Sequence, residues 1–449
     1  MLSARFPQAQ NNSARHNVTY CIQNIAWRFR DHQLLTPLVL SKGSINAITE
    51  AICQVTLLET DDSYQKQSIG YGTVLLSHVW AWPEKTDHDI DKNLAMQNAC
   101  ANLSQRILTQ PISANVLQLG FMIHSTAADL LTDLPPLARC LCVSPIDNAV
   151  HDAAGRSANC NAFDLFDVDM PSDFDAYFPG IGASLAITSL LRPPVNTLEG
   201  QVVIGANTPQ TAIESYVLET GMKRAKIKIG HESPEKDASH VAKSCAGLRE
   251  LTGYVHSITV DANGAYGDPA ELERFIAALF GDHPEEAIYL TGIEQPALEP
   301  EFTQAAQWAK IARNTPLIID EAFTSMNALV HQGKCGWNAL ATKSCRGQTL
   351  SLIGAAWAHA RGWTNFVMDL TSPNIAAIHT LLLASRIRGV DTLELNAGQF
   401  MPDVHHPFAP ELKSCLYAHK GIFQVPTQII GLTPEAYYQH LTVLFEEHP

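Results

Sequence analysis

The sequence predicts an α/β fold in which a closed parallel barrel is joined to a smaller α+β domain. With 449 residues, the chain exceeds the usual size of one compact domain. After Pro193 and Pro194, short apolar stretches alternate with amphipathic ones, which is the pattern of βα units in a parallel sheet. Several apolar stretches end in a charged or amide residue, and such groups at the carboxyl ends of barrel strands are typical of function.

Eight apolar stretches are predicted as barrel strands. Their regular spacing favours a closed barrel over an open sheet. No glycine-rich phosphate loop follows any of them, so nucleotide binding is not indicated. The stretches are VVIGA (202–206), RAKIKI (224–229), SITVD (257–261), YLTGIE (289–294), PLIID (316–320), ALATK (339–343), NFVMD (365–369) and TLELN (392–396).

The chain before the barrel is predicted to form the α+β domain. Residues 17–80 contain three stretches rich in β-branched and aromatic residues, and their spacing fits an antiparallel meander. From Asp89, apolar residues recur every three or four positions, which indicates helices. We place this domain at residues 1–145 and the barrel at 146–400. The irregular segment 401–449 is expected to return to the first domain.

Composition narrows the classes of partner. Thirty basic and forty-five acidic residues give a net charge of −15 at pH 7, and such a surface repels nucleic acid and anionic lipid. We therefore expect neither a nucleic acid nor a membrane as a partner. No stretch has the apolar length of a signal peptide or a membrane span, so we expect a cytoplasmic protein. The ten cysteines are scattered singly and are predicted to be mostly buried thiols.

Three carboxylates predict a metal site. Asp261, Glu294 and Asp320 each end an apolar stretch, and they are spaced by about one βα unit of a barrel. Side chains at the ends of neighbouring parallel strands converge on one face of the barrel. Hard divalent cations prefer oxygen ligands. The three residues are therefore predicted to hold one divalent cation.

Lysines flank this acidic set in the sequence. The alternation of a strand points Lys226 and Lys228 to the same side, towards the barrel interior, and Lys343 approaches from the opposite side. Mutual repulsion and a nearby cation are expected to lower the lysine pKa towards neutrality, as a general base requires. Two bases across one carbon permit removal and return of a proton on opposite faces. The alternative is a set of structural ion pairs at the barrel rim.

These motifs resemble those of the enolase superfamily, specifically the muconate-lactonizing-enzyme-like subgroup of the mandelate racemase/muconate lactonizing enzyme family. The resemblance implies a modified TIM barrel of the (β/α)7β type, with an N-terminal α+β capping domain that the C-terminal segment completes. The matching residues are Lys226-Ile227-Lys228, Asp261-Ala262-Asn263, Glu294-Gln295-Pro296, Asp320-Glu321, Lys343, and the D-x-A-x-x-D-x-x-G pattern at Asp147, Ala149, Asp152 and Gly155.

The resemblance also implies roles and partners. The three carboxylates become ligands of Mg²⁺, with Mn²⁺ as an alternative, and Lys228 and Lys343 become the acid/base pair. Lys226 assists Lys228 or contacts the substrate carboxylate. The substrate is implied to be a small-molecule carboxylate and the protein a homo-oligomer. The mandelate racemase branch carries a histidine after the seventh strand, where this chain has Asp369, so that branch is disfavoured.

Candidate substrate-binding residues follow from the same strand ends and from one loop. Trp80 and Trp82, in segment 75–83, either cover the barrel mouth or pack between the two domains. Glu394 either holds a polar group of the substrate or orients Lys343. The full set of candidates is Asn263, Glu321, Asp369, Glu394, Trp80 and Trp82.

The predicted reaction is Mg-dependent abstraction of the proton α to a carboxylate, through an enediolate. The first hypothesis is a racemase or epimerase that acts on an acylated or N-substituted amino acid. The alternative is an aldonate-type sugar-acid dehydratase that uses the same site. A cycloisomerase ranks after it, and a non-catalytic barrel scaffold ranks last.

Overall fold

The computed structural model describes residues 18–40, 43–61, 63–83, 91–166, 172–390, 392–404 and 412–447. These residues form two sheets, one of four antiparallel strands near the N-terminus and one of ten strands that curls into a barrel. All ten cysteines are free, and eight of them are buried. No helix in the described ranges combines the length and the apolar character that a bilayer span requires.

The smaller sheet belongs to the α+β cap. Its first three strands form an antiparallel meander, in which Thr19 pairs with Thr60 and Gln65 returns to the same Thr60. Side chains of Asp91 and Asn115 accept the backbone N–H of Leu94 and Gln118, which caps two of the helices. The strands are Thr19–Leu40, Gly43–Thr60, Gln65–Leu75 and Ser113–Ala114; the helices are His78–Ala81, Lys92–Thr109, Val116–Leu130 and Pro136–Ala158.

The helix Pro136–Ala158 joins the cap to the barrel. Almost all of its residues are buried, and Gly72 on the third strand allows close approach because a Cβ there would overlap the backbone of Pro145. The helix runs through residue 145, where the sequence suggested a domain boundary. The division of the chain at residues 145 and 400 stays a prediction.

The larger sheet closes into a barrel, which confirms the predicted fold class. Its first strand consists of two segments on either side of Gln201. The first segment pairs in parallel with the eighth strand and the second segment pairs with the second strand, so eight parallel strands complete a ring. The strands are Thr197–Gly200 with Val202–Ile204, Arg224–Lys228, Ser257–Asp261, Leu290–Glu294, Leu317–Ile319, Ala339–Thr342, Thr364–Val367 and Thr392–Leu393.

Helices follow the barrel strands as the alternating pattern predicts. Pro at the first helical position and a capping Ser or Asp begin two of them, at Ser233-Pro234 and Asp268-Pro269. Ala183–Leu190 precedes the first strand. The others are Gln210–Thr220, Pro234–Thr252, Pro269–Asp282, Pro284–Ala287, Ala305–Ala312, Met326–Lys334, Gln348–His359, Asn374–Arg386 and Ala397–Phe400.

The C-terminal segment returns to the cap after the barrel closes. It contains the short helix Lys413–Leu416, the strand Ile422–Gln424, which pairs antiparallel with Thr197–Gly200, and the helix Glu435–Glu446. The ring of Tyr438 lies 5.1 Å from the ring of Tyr71 on the cap sheet. The final helix therefore completes the hydrophobic core of the N-terminal domain.

Candidate active site

The register of the barrel strands brings the predicted acidic residues together. Lys228 pairs with Asp261 across the second and third strands, and Asp261 pairs with Glu294 across the third and fourth. Asp320 directly follows the fifth strand, where Ile318 pairs with Glu294. All of these side chains are buried. The carboxyl ends of the strands therefore hold a compact group of charges.

Each carboxylate of this group contacts an ammonium. The Lys228 Nζ atom lies 2.5 Å from Asp261 Oδ2 at one end of the group. At the other end, Lys343 Nζ lies 2.6 Å from Asp320 Oδ2. The two lysines expected to act as acid and base thus bracket the three carboxylates.

Lys226 occupies the centre of the group. Its Nζ atom lies 3.1 Å from Glu294 Oε2 and 2.7 Å from Glu394 Oε2. Glu394 therefore contacts Lys226. The sequence had left open whether Glu394 holds a polar group of the substrate or orients Lys343. This contact places Lys226 as the link between the fourth and eighth strands.

For Lys226 and Lys343, the protein's own charges act against the expected lowering of the lysine pKa. Burial alone would lower the pKa of Lys226, but the charges of Glu294 and Glu394 raise it well above its ordinary value. For Lys343, burial also acts to lower the pKa, and the charges of Asp320 and Glu294 raise it overall. At these two lysines, the carboxylate charges outweigh both burial and the repulsion between the ammoniums.

The donor chemistry of this group fits a divalent cation. Glu294 Oε2 is buried and has no aligned hydrogen bond, and burial together with the charge of Asp261 raises the Glu294 pKa well above its usual range. Buried carboxyl groups outnumber buried cations by six to four around the strand ends, so the group can accept added positive charge. The carboxylates are Asp261, Glu294, Asp320, Glu321, Asp369 and Glu394, and the cations are Lys226, Lys228, Lys343 and Arg346.

The carboxylate oxygens now face ammoniums and do not surround a common point. Within the described ranges, no group of three or more His, Cys, Asp or Glu side chains is arranged to hold a metal ion. A cation at this place would have to displace the Lys228 and Lys343 ammoniums from Asp261 and Asp320. The assignment of the three carboxylates as ligands therefore remains a proposal.

A narrow pocket opens on this group and contains most of the predicted substrate-binding residues. Its volume is about 40 Å³. Aliphatic side chains of the cap, including Leu38, Ile45 and Ile48, close one side. On the barrel side, the pocket is lined by Lys226, Lys228, Asp261, Asn263, Asp320, Lys343, Asp369, Glu394 and Asn396.

Asn263 and Trp80 connect the lysines to Glu321. The Asn263 side chain accepts a hydrogen bond from Lys228 Nζ at 3.1 Å and donates one to Glu321 Oε1 at 2.8 Å. The Trp80 indole N–H donates to the same Glu321 Oε1 at 2.9 Å. The Lys343 ammonium lies 5.0 Å from the centre of the Trp80 ring. Trp80 therefore forms a wall of the pocket.

Asp369 lies at the end of the seventh strand in a different environment from the other acids. It accepts backbone N–H groups of Thr371, Ser372 and Asn396 at 3.0 to 3.3 Å. Burial and the charge of Glu394 raise the pKa of Asp369 to about 7. Near neutral pH, this carboxyl group can therefore both hold and release a proton.

Residues 210–431 match the family model described as "Enolase C-terminal domain-like". This part of the chain, which contains most of the barrel, therefore belongs to the enolase superfamily. A comparison with curated protein sequences gives no match.

Solved structures of this superfamily share the fold over nearly the whole chain. Dipeptide epimerase from Enterococcus faecalis, in complex with Mg and L-Leu-L-Tyr, has a TM-score of 0.63 at 16% identity and covers 92% of this chain and 98% of its own. Muconate lactonizing enzyme from Pseudomonas putida has a TM-score of 0.61 at 17% identity, and the match covers 94% of this chain and 99% of that protein. An enolase from Bradyrhizobium, in complex with magnesium and mandelic acid, has a TM-score of 0.59 at 16% identity, and the match covers 94% of this chain and 98% of that protein.

Trp82 is placed apart from the pocket of this enolase-superfamily chain. The Lys92 ammonium lies 5.6 Å from the centre of its ring and donates to its backbone oxygen at 2.7 Å. Trp82 is not among the residues that line the pocket. The two alternatives for this segment were that the tryptophans cover the barrel mouth or pack between the two domains. Trp80 agrees with the first alternative, whereas the contacts of Trp82 with Lys92 lie within the cap and match neither.

Arg346 is a site residue that the sequence analysis missed. Its guanidinium is fully buried and donates to Asp320 Oδ1 at 2.6 Å. It also lies 5.7 Å from the centre of the Trp80 ring. The sequence feature that could have identified Arg346 is its position three residues after Lys343, on the same loop at the end of the sixth strand.

Two neighbouring residues of the helix Pro136–Ala158, Asp147 and Asn148, hold that same loop. Asn148 donates to the backbone oxygen of Ser344 at 3.2 Å and accepts the N–H of Gln348 at 3.0 Å. Asp147 accepts the N–H of Thr349 at 2.9 Å. Gly347 has φ +87°, and a Cβ there would overlap Asp147. The cap-side helix thus sets the backbone that carries Lys343.

Proposed function

We propose that this protein is a Mg-dependent racemase or epimerase that acts on an acylated or N-substituted amino acid. One observation carries the proposal. The Lys228 and Lys343 side chains enter one pocket and contact the first and the last of three adjacent carboxylates, at 2.5 and 2.6 Å. Amines at the two ends of this set of three carboxylates can exchange protons with the two opposite faces of one carbon.

Proton movement between these lysines accounts for inversion of the carbon. Lys228 as a free amine takes the α-proton from one face, and Lys343 as an ammonium returns a proton to the other face. The reverse direction exchanges the two roles. Lys226, held between Glu294 and Glu394, contributes positive charge next to the substrate carboxylate.

Asp261, Glu294 and Asp320 would hold Mg²⁺, with Mn²⁺ as an alternative. When bound, the cation supplies electrostatic stabilisation for the negative charge that develops on the substrate carboxylate. Three structural neighbours were solved with magnesium, and one of them also holds a dipeptide. Both observations support a carboxylate substrate that is bound together with a divalent cation.

The lining of the pocket supports an amino-acid derivative with an apolar part. Leu34, Leu38, Ile45 and Ile48 line its cap side together with Trp80. These side chains offer no hydrogen bonds to a polyhydroxylated chain, whereas they can contact an apolar side chain or acyl group.

A dehydratase is the second candidate, and Asp369 is the observation that favours it. The Asp369 carboxyl lines the pocket, and its pKa is raised to about 7. In a sugar acid, Lys228 would take the α-proton and the C–H electrons would form a double bond to the β-carbon. The β-hydroxyl would leave as water with the proton from Asp369, and the resulting enol would become a 2-keto acid.

Exchange in deuterated water tests the proposal. The protein is incubated with Mg²⁺ and N-acyl amino acids, dipeptides, betaines or aldonic acids. Deuterium at the α-carbon without a 2-keto product is the result expected for a racemase or epimerase. A 2-keto product from an aldonic acid supports the dehydratase instead. Absence of both across the panel would favour a non-catalytic scaffold and overturn the proposal.

A further inference from the structure

A second chamber lies on the other side of Trp80 from the reaction pocket. Its volume is about 300 Å³, compared with about 40 Å³ for the pocket. Trp80 and Asn263 line both cavities and therefore form the wall between them. Pro136, Leu137 and Leu298 supply apolar surface. The chamber reaches the lower end of the size range of small-molecule sites.

Two residues that line this chamber each carry a buried oxygen atom that has no hydrogen-bond partner among the described residues. The atoms are Glu321 Oε2 and Gln332 Oε1. Glu321 is 8% exposed and Gln332 is 5% exposed. A buried oxygen without a partner is costly by about 1 to 3 kcal/mol. A ligand that donates hydrogen bonds would remove that cost.

The charges around the chamber have one sign. Glu299 and Glu321 line it, whereas no lysine, arginine or histidine is found among its described lining residues. The unpartnered groups are both hydrogen-bond acceptors, so an anion has no favourable contact there. A cation that donates several hydrogen bonds suits the acceptors, and an apolar body suits the walls.

We infer that this chamber is a binding site for an organic ammonium, a protonated primary amine on a compact apolar body. The ammonium group contacts Glu321 Oε2 and Gln332 Oε1, and the apolar body lies against Leu137 and Leu298. The site is separate from the reaction pocket, which contains all three lysines.

The chamber is connected to the pocket through hydrogen bonds. Glu321 Oε1 accepts from Trp80 and Asn263, and Asn263 accepts from Lys228. An ammonium bound to Glu321 Oε2 therefore changes the charge at one end of a series of hydrogen bonds whose other end is Lys228. Occupancy is expected to alter the rate of the reaction, although binding itself needs neither substrate nor metal.

Calorimetric titration of the full chain with 3-phenylpropylammonium, without substrate or metal, tests the site. The neutral 3-phenylpropan-1-ol serves as the matched probe. One saturable site that prefers the ammonium by about tenfold or more is expected. Because substrate is absent, failure of binding leaves the proposed reaction untouched, and failure of the reaction leaves this site untouched.

Three variants locate the binding. Ala328→Phe fills the chamber from the helix Met326–Lys334 and is expected to weaken binding by about tenfold or more. Ala306→Phe, at an exposed position of the helix Ala305–Ala312, is the control and should bind like the parent. Glu321→Gln keeps the shape of the side chain, removes its charge and should weaken the ammonium more than the alcohol.

Circular dichroism checks that each variant folds, and Glu321→Gln decides the question should Ala328→Phe not fold. Absence of saturable binding, or binding that neither Ala328→Phe nor Glu321→Gln changes, would overturn the assignment and leave a chamber filled by water. Equal affinity for the ammonium and the alcohol would overturn the cationic ligand class.

Discussion

Arg346 donates to both Oδ1 and the backbone oxygen of Asp320, at 2.6 Å each, and both side chains are fully buried. The pair joins the loop after the sixth strand to the end of the fifth strand. Because Asp320 also accepts from Lys343, Arg346 fixes the carboxylate that Lys343 contacts.

Removal of the Arg346 guanidinium is expected to destabilise the fold. Arg346→Met leaves Asp320 buried with one cation fewer, and loss of one partner from a buried pair costs about 3 to 5 kcal/mol. Chemical denaturation measures the change in unfolding free energy. Arg274→Met is the control because Arg274 is 58% exposed in its ion pair with Glu235. Similar small losses in both variants would contradict a structural role for Arg346.

Single replacement of the two end lysines should separate the two faces of the reaction. Lys228→Ala and Lys343→Ala are each expected to suppress α-deuterium exchange from one stereochemical series by about 100-fold or more, since general acid–base groups contribute at that level. Exchange into both enantiomers of the substrate is followed by NMR. Lys310→Ala, at a 67% exposed lysine, is the control. If each variant lost exchange equally in both stereochemical series, the result would contradict the assignment of the two lysines to opposite faces of the carbon.

Added Mg²⁺ is expected to raise the midpoint of thermal unfolding. Six buried carboxylates face four buried cations at the strand ends, so a divalent cation binds the folded state preferentially. At a free concentration of 100 Kd, the gain is about 2.7 kcal/mol. The shift should vanish in Glu294→Gln.

Glu435→Gln provides the control for the magnesium experiment. Glu435 is 68% exposed, so this variant should respond to Mg²⁺ as the parent does. A parent midpoint that does not move with Mg²⁺ would contradict the metal site.

The raised pKa of Asp369 predicts a pH dependence of stability. Folding raises the pKa of Asp369 from 3.8 to about 7. The protonated carboxyl group therefore adds its full contribution to the free energy of unfolding below pH 3.8, and this contribution is lost as the pH rises through about 7. The folded state binds the proton more tightly in this window. Stability should fall with rising pH by about 4 kcal/mol from this group.

Asp369→Asn should remove that slope between about pH 4 and pH 7. Unfolding free energies of the parent and the variant are compared by denaturation across this range. Asp129→Asn, at an exposed position, should keep the slope of the parent. A variant curve parallel to the parent curve would show that Asp369 titrates at its ordinary pKa.

Much of the barrel could be predicted because its signals are local. The stretch SITVD, predicted at 257–261, coincides with the strand Ser257–Asp261, and alternation correctly placed Lys226 and Lys228 in one pocket. The split of the first strand at Gln201 could not be predicted. It depends on pairing with two strands that lie far apart in the chain.

The sequence by itself determined the order of strands, the kinds of side chain at their ends and the likeness to the enolase superfamily, because short-range periodicity and motif spacing carry that information. Only the tertiary structure decided which ammonium contacts which carboxylate. The raised pKa of Lys226 and the attachment of Trp80, in place of Trp82, to the pocket wall depend on charges and contacts between remote residues. Such contacts form only when the barrel closes and the cap is in place.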